Sequence, residues 1–166
     1  TTAGRATVDS KLHDRISGHM ICAHRSIHYS FFQTNSVMAE KLYQTALESS
    51  KLTGEEIVFD LYCGTGSISL FLAQKAKEVH WFEVIVSSVE DATRNAVRNG
   101  IGNVFFHVAN LDNFFKFGVG KKYPKPDVIV VDPPRAGMHK FMTNYLPKFE
   151  AKKIKNNNFT GEKFKL

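Results

Sequence analysis

The chain has 166 residues and a mass of 18.7 kDa; 43% of its residues are hydrophobic and 23% charged, a balance that supports one sizeable core and argues against wholesale disorder. No apolar run approaches the about 20 residues that cross a bilayer, so a helical membrane protein is excluded, and the polar start of the chain shows no signal-peptide core. Two cysteines, Cys22 and Cys63, cannot make a disulfide framework or a four-cysteine metal site, which points to a reduced, cytoplasmic setting.

Residues 1–30 are polar and weakly patterned. His19, Cys22, His24 and His28 lie close together, but their spacing fits no standard zinc finger, and no metal is expected. Ser36–Ser50 reads as an amphipathic helix through Val37, Met38, Leu42, Ala46 and Leu47. Ile57–Cys63 is a short apolar run ending at Gly64, the pattern of a buried strand. Ser67–Ala76 carries Ile68, Phe71, Leu72 and Ala76 near helical spacing. Val79–Glu83 is a second strand. Ser88 can cap a following helix, with Glu90 and Asp91 in its first turn and Asn99-Gly100 at its end. Val104–Val108 is a third strand. Phe114–Lys125 reads as a loop, and Asp127–Asp132 as a fourth strand stopped by Pro133-Pro134. Phe105-Phe106 and Phe114-Phe115 are expected to serve core and loop packing rather than base stacking.

The formal charge is +6. Residues 146–166 hold Lys148, Lys152, Lys153, Lys155, Lys163 and Lys165 against Glu150 and Glu162. Such a stretch can meet a phosphate backbone or serve as a solvated tail.

Strands alternating with helices predict an α/β fold with a parallel sheet, whose ligands bind beyond the carboxyl ends of the strands. Gly64-Thr65-Gly66 follows the first strand, where glycines allow a tight turn and close approach to a ligand. The third glycine of a dinucleotide fingerprint and the Gly-Lys-Ser of a P-loop are both lacking. Glu83 ends the second strand, where an acid can accept ribose hydroxyls. Both NAD and S-adenosylmethionine suit this plan. Asn110, beyond the third strand, can meet an adenine edge or serve as a turn residue. Asp132-Pro133-Pro134-Arg135 follows the fourth strand. An acid before Pro-Pro resembles the loop that nucleic-acid base methyltransferases set beside their target base, and it tips the cofactor towards S-adenosylmethionine.

Phe31-Phe32-Gln33-Thr34-Asn35, then Asp60-Leu61-Tyr62-Cys63-Gly64-Thr65-Gly66, Val89-Glu90-Asp91-Ala92, Arg98-Asn99-Gly100 and Asp132-Pro133-Pro134-Arg135-Ala136-Gly137 resemble the uracil-5 RNA methyltransferases. The resemblance covers residues 29–154. It implies a class I, Rossmann-like methyltransferase fold with a doubly wound, mostly parallel sheet, incomplete in its C-terminal part. It implies S-adenosylmethionine as cofactor and uridine in tRNA or 23S ribosomal RNA as substrate, with no membrane partner. The chain then divides into an N-terminal segment (1–30), a cofactor-binding domain (31–154) and a basic tail (155–166). By resemblance, Gln33, Tyr62, Gly64, Gly66, Ser67, Glu83, Asn110 and Asp132 bind the cofactor, and Asp132, Pro133, Pro134 and Arg135 form the substrate-base loop.

In that family a Cys thiolate adds to C6 of uracil, C5 takes the methyl group, and a Glu removes the C5 proton. The family's Cys stands in a Ser-Cys-Asn-Pro segment beyond the strand that Ala151–Ile154 would open. Here Lys155-Asn156-Asn157-Asn158 follows. Cys63 lies in the cofactor loop and Cys22 outside every matching motif, so neither is read as the nucleophile. The chain as written is therefore expected to bind cofactor without catalysing by itself, with a truncation or a missing segment near Ile154. The alternatives are a cytosine-5 RNA methyltransferase, against which Phe31–Asn35 argues, and a noncatalytic cofactor- or RNA-binding module.

Overall fold

The structure, a computed structural model, describes residues 7–13, 21–27, 36–61, 66–111, 122–131 and 140–156. The weakly patterned start of the chain forms an antiparallel hairpin of β1 (Thr7–His13) and β2 (Ile21–Ile27), with Thr7 opposite Ile27 and His13 opposite Ile21. Helix α1 (Ser36–Ser50) follows. Then come β3 (Ile57–Leu61), α2 (Ser67–Leu72), β4 (Glu78–Glu83), α3 (Val86–Arg98), β5 (Val104–Val108), β6 (Val128–Val131), α4 (Lys140–Tyr145), a 3-10 turn at Leu146–Phe149 and β7 (Lys153–Asn156). The hairpin lies against α1 and α3.

The main sheet has the order β5-β4-β3-β6-β7, and every pairing in it is parallel. The chain winds outward from β3 to β5, then returns to the other side of β3. That reversal puts a topological switch point between β3 and β6, at whose carboxyl end open α/β sheets bind ligands.

Alternation along the strands feeds two cores. Val58, Val79, Trp81, Val128 and Val130 pack with Tyr43, Leu47, Ile68, Phe71, Leu72 and Ala92 of the helices. Phe59, Leu61, Phe82, Ile129 and Val131 face the other way, onto Leu111, Met142 and Leu146. Strands buried on both faces need apolar residues at successive positions, which is why Ile57–Leu61 and Val128–Val131 read as continuous apolar runs.

The structure departs from the sequence expectations at three boundaries. Helix α2 ends at Leu72 and not at Ala76: Gln74 N–H bonds Phe71 O and Lys75 N–H bonds Leu72 O, tightening the exit, and Lys77 N–H is drawn to Glu56 O. Helix α3 starts at Val86, so Ser88 does not cap it; Ser88 is buried within the helix. The extended Ile85 precedes the helix, and no side chain caps it. Strand β7 runs through Lys155 and Asn156, where the sequence pattern fades. Its parallel ladder pairs Val130 with Lys155 and Val131 with Asn156, and backbone bonds do not need an apolar pattern.

Among the described residues, no helix is long and apolar enough to cross a membrane.

Candidate functional site

Glu83 is the last residue of β4, at the carboxyl end of the sheet. Its Oε1 accepts from Val84 N–H at 2.7 Å and Ile85 N–H at 3.1 Å. The chain turns around its own carboxylate, which fixes the side chain. Its Oε2 has no partner among the described residues and remains available as an acceptor. Sequence reasoning placed Glu83 at a strand end as a ribose-binding acid; the structure puts it at the end of β4, with one oxygen on the backbone. Val84, Ile85 and Val86, directly after it, are 58%, 46% and 56% exposed.

The next strand ends alongside. Val108 pairs with Glu83, and Ala109 N–H bonds Glu83 O at 2.8 Å. Asn110 follows that last rung, so the topology brings Glu83 and Asn110 to one end of two adjacent strands.

Gly66 precedes α2 with φ 74° and ψ 11°, a left-handed conformation that suits glycine. A β-carbon here would stand 3.1 Å from Ala92 Cβ, with Phe106 and Trp81 close behind. Gly66 thus lies tight against α3. The close approach that Gly66 permits is to the protein's own helix as well as to any ligand. Ser67, the first residue of α2, is 5% exposed. Gln33, Tyr62, Gly64, Asp132, Pro133, Pro134 and Arg135 lie outside the described residues, as does Cys63.

Asp60 was not expected to matter. It is fully buried in β3, one residue before the strand's end, and accepts a hydrogen bond from Ser69 Oγ of α2. That bond spans the turn containing Gly66. An acid in an otherwise apolar strand is legible in the sequence, but its partner Ser69 is not.

A second polar set lies on the opposite face of the sheet. His80 Nδ1 and His107 Nε2 are 3.1 Å apart, and His80 Nε2 is 3.4 Å from Glu78 Oε2. The two imidazoles stack at 5.3 Å and 9°. Phe105 stacks on His80, Phe82 stacks on His107, and Tyr123 meets His107 edge-on. Burial, partly offset by Glu78, lowers the His80 pKa. Burial first, and the charge of His80 second, push His107 down to about 4. Both rings are therefore neutral near pH 7.

The lysines near β7 are largely engaged within the fold. Lys152 Nζ meets Asp127 Oδ1 at 2.9 Å, while Asp127 Oδ2 accepts Ile57 N–H at 3.0 Å. Lys153 Nζ donates to Ser50 O at 3.1 Å and Lys51 O at 3.4 Å, at the carboxyl end of α1, where a cation is favoured.

Comparison with known proteins decides the assignment. The family model for tRNA (uracil-5-)-methyltransferase matches residues 5–154. The chain belongs to the tRNA (uracil-5-)-methyltransferase family. The match takes in the hairpin, so this family segment starts earlier than the residue 29 that the motifs reached. An "uncharacterized RNA methyltransferase" of Clostridium tetani is 46% identical over 125 residues, which are 75% of this chain and 27% of that protein. One of Streptococcus mutans is 50% identical over 109 residues, 66% of this chain and 24% of that protein. The chain spans about a quarter of the length of these curated relatives. A crystal structure of Pyrococcus abyssi tRNA (uracil-54, C5)-methyltransferase in complex with S-adenosyl-L-homocysteine is 28% identical with a TM-score of 0.64, over 92% of this chain and 34% of that one. A ribosomal protein L11 methylase from Lactobacillus delbrueckii, 20% identical with a TM-score of 0.53 over 74% of this chain and 56% of that one, shares the fold. For this member of the tRNA (uracil-5-)-methyltransferase family, the parallel five-stranded sheet is the class I, Rossmann-like methyltransferase sheet.

Proposed function

We propose that residues 31–154 are the S-adenosylmethionine-binding unit of a cytoplasmic RNA methyltransferase acting on C5 of uridine in tRNA or ribosomal RNA. The observation that carries this reading is Glu83: a carboxylate at the end of β4, oriented by two backbone N–H groups, with one oxygen left to accept from a ribose hydroxyl. The exposed apolar run Val84-Ile85-Val86 beside it suits the flat face of a purine, so the described residues fit a nucleoside cofactor. Asn110 offers an amide to the adenine edge. Gly66 keeps the turn after β3 free of a β-carbon, and Gln33, Tyr62, Gly64 and Ser67 complete the pocket in this reading. The sulfonium of the bound cofactor supplies an electrophilic methyl group.

Asp132-Pro133-Pro134-Arg135 follows β6 in the sequence. Two prolines restrict that stretch, which suits a rigid wall for a target base, with Asp132 also reaching the cofactor. The tRNA substrate of the Pyrococcus abyssi enzyme favours tRNA over ribosomal RNA as the partner.

Calorimetric titration of the chain with S-adenosylhomocysteine tests the reading. Glu83→Ala is expected to weaken binding about tenfold or more, the loss of a charge-assisted hydrogen bond. Equal affinity in wild type and variant overturns the role of Glu83, and a wild-type chain that takes up no ligand overturns the cofactor.

A further inference from the structure

Among the described residues, β5 is an edge strand of the main sheet, bonded to β4 on one side and to no strand on the other. None of its five residues is buried, whereas β6 is buried throughout and β3 and β4 nearly so. Val104 and Phe106 reach the core from one face of β5, and on the other face the strand is held to β4 by its ladder and by side-chain contacts. Among the described residues, the His80–His107 bond is the one side-chain hydrogen bond between β4 and β5.

The direction of that bond follows from its neighbours. Glu78 Oε2, a carboxylate oxygen, accepts from His80, so His80 carries its proton on Nε2. His80 Nδ1 is then an acceptor, and His107 donates from Nε2. This gives a directed chain, His107 to His80 to Glu78, in two neutral rings. The rings are flanked by Phe59, Phe82, Phe105 and Tyr123. Glu78 and Tyr123 are the titratable groups that face the pair among the described residues.

The chain's position gives it a further role. His80 stands three residues before Glu83, and His107 three residues before Asn110. The last β4–β5 rung, Ala109 N–H to Glu83 O, lies immediately before Asn110. We propose that His80 and His107 are positioning residues for the cofactor pocket: their hydrogen bond clamps β5 to β4 and so sets where Asn110 stands relative to Glu83. The inference rests on the cofactor reading above and adds to it two residues on the far face of the sheet.

A double-mutant cycle tests it. S-adenosylhomocysteine affinity is measured by calorimetry at pH 7.5 for wild type, His107→Val, His107→Gln, Asn110→Ala and His107→Val/Asn110→Ala. His107→Val removes the donor and is expected to weaken binding about tenfold. His107→Gln keeps an N–H near the Nε2 position and is expected to restore affinity to within about threefold of wild type. If His107 acts through Asn110, the double variant binds no more weakly than Asn110→Ala alone. Losses that multiply in the double variant, or wild-type affinity in a folded His107→Val, overturn the proposal. Should His107→Val fail to fold, His107→Phe, which keeps a ring in the stack and removes the donor, replaces it in both the single and the double variant, with the same outcomes supporting or overturning the proposal. A wild-type chain that binds no S-adenosylhomocysteine overturns the cofactor reading and this inference with it, whereas an additive cycle overturns this inference alone.

Discussion

Ser69 of α2 donates its hydroxyl to the fully buried carboxylate of Asp60 in β3, and the bond ties the strand to the helix that Gly66 precedes. Nine residues separate the two. Ser69→Ala takes one hydrogen bond from a buried carboxylate, and we expect a loss of about 1–3 kcal/mol. Urea unfolding reads it as a lower midpoint at unchanged slope. A variant as stable as wild type would remove this bond from the account of the turn.

Gly66 faces two constraints, one of conformation and one of space. Its positive φ disfavours any β-carbon, and Ala92 Cβ would lie 3.1 Å from one. Gly66→Ala is expected to cost about 1–3 kcal/mol. Adding Ala92→Gly relieves the contact but not the dihedral strain. The double variant should therefore recover only part of the melting temperature lost by Gly66→Ala, beyond the helix cost measured for Ala92→Gly alone. Full recovery would mean that the left-handed conformation costs alanine nothing here.

The histidine pair makes the fold acid-sensitive in a definable window. Unfolded imidazoles ionise near pH 6.5. In the folded chain His80 stays neutral below its ordinary value, and His107 to about 4. Between these limits the unfolded chain binds more protons, so stability is full above pH 6.5 and falls as the pH drops towards 4. Glu56, Asp127 and Glu150 also have lowered pKa values, chiefly through backbone bonds of Glu56 and Asp127 and the Lys125 bond of Glu150. Their contributions are lost at lower pH than the start of the histidine window. Melting temperatures from pH 7.5 to 5 should therefore decline in wild type and decline less in His107→Gln. Parallel curves for the two proteins would assign the decline to other groups.

Asp127 joins β3 to the start of β7, one oxygen on Ile57 N–H and the other on Lys152. Lys152 is 79% exposed, so its ion pair is screened and weak. The bond to the backbone N–H of Ile57 is the more valuable of the two. Asp127→Ala is expected to cost about 1 kcal/mol, and more than Lys152→Ala does. Chemical denaturation of the two variants side by side checks the order, and the reverse order would make the ion pair the stronger link.

The sequence by itself determined the alternation of strand and helix, because burial on both faces writes runs such as Val128–Val131 directly into the residue order. It also determined the family, since five short motifs in fixed order narrow the chain to one group of enzymes. Glu83 and Asn110 were legible as residues at strand ends, and the carboxyl end of a parallel sheet is where such folds bind. Tertiary structure decided what no local pattern carries. Helix α3 begins at Val86 because Glu83 folds back on the chain, and β7 continues through Lys155 because its ladder to β6 is a backbone matter. The lysines of residues 152 and 153 read as a basic patch in sequence, yet distant partners, Asp127 and the end of α1, claim them. The same holds for Asp60 with Ser69 and for His80 with His107. Each bond joins residues that only the sheet and its packing bring within reach, so neither member of either pair could announce the other along the chain.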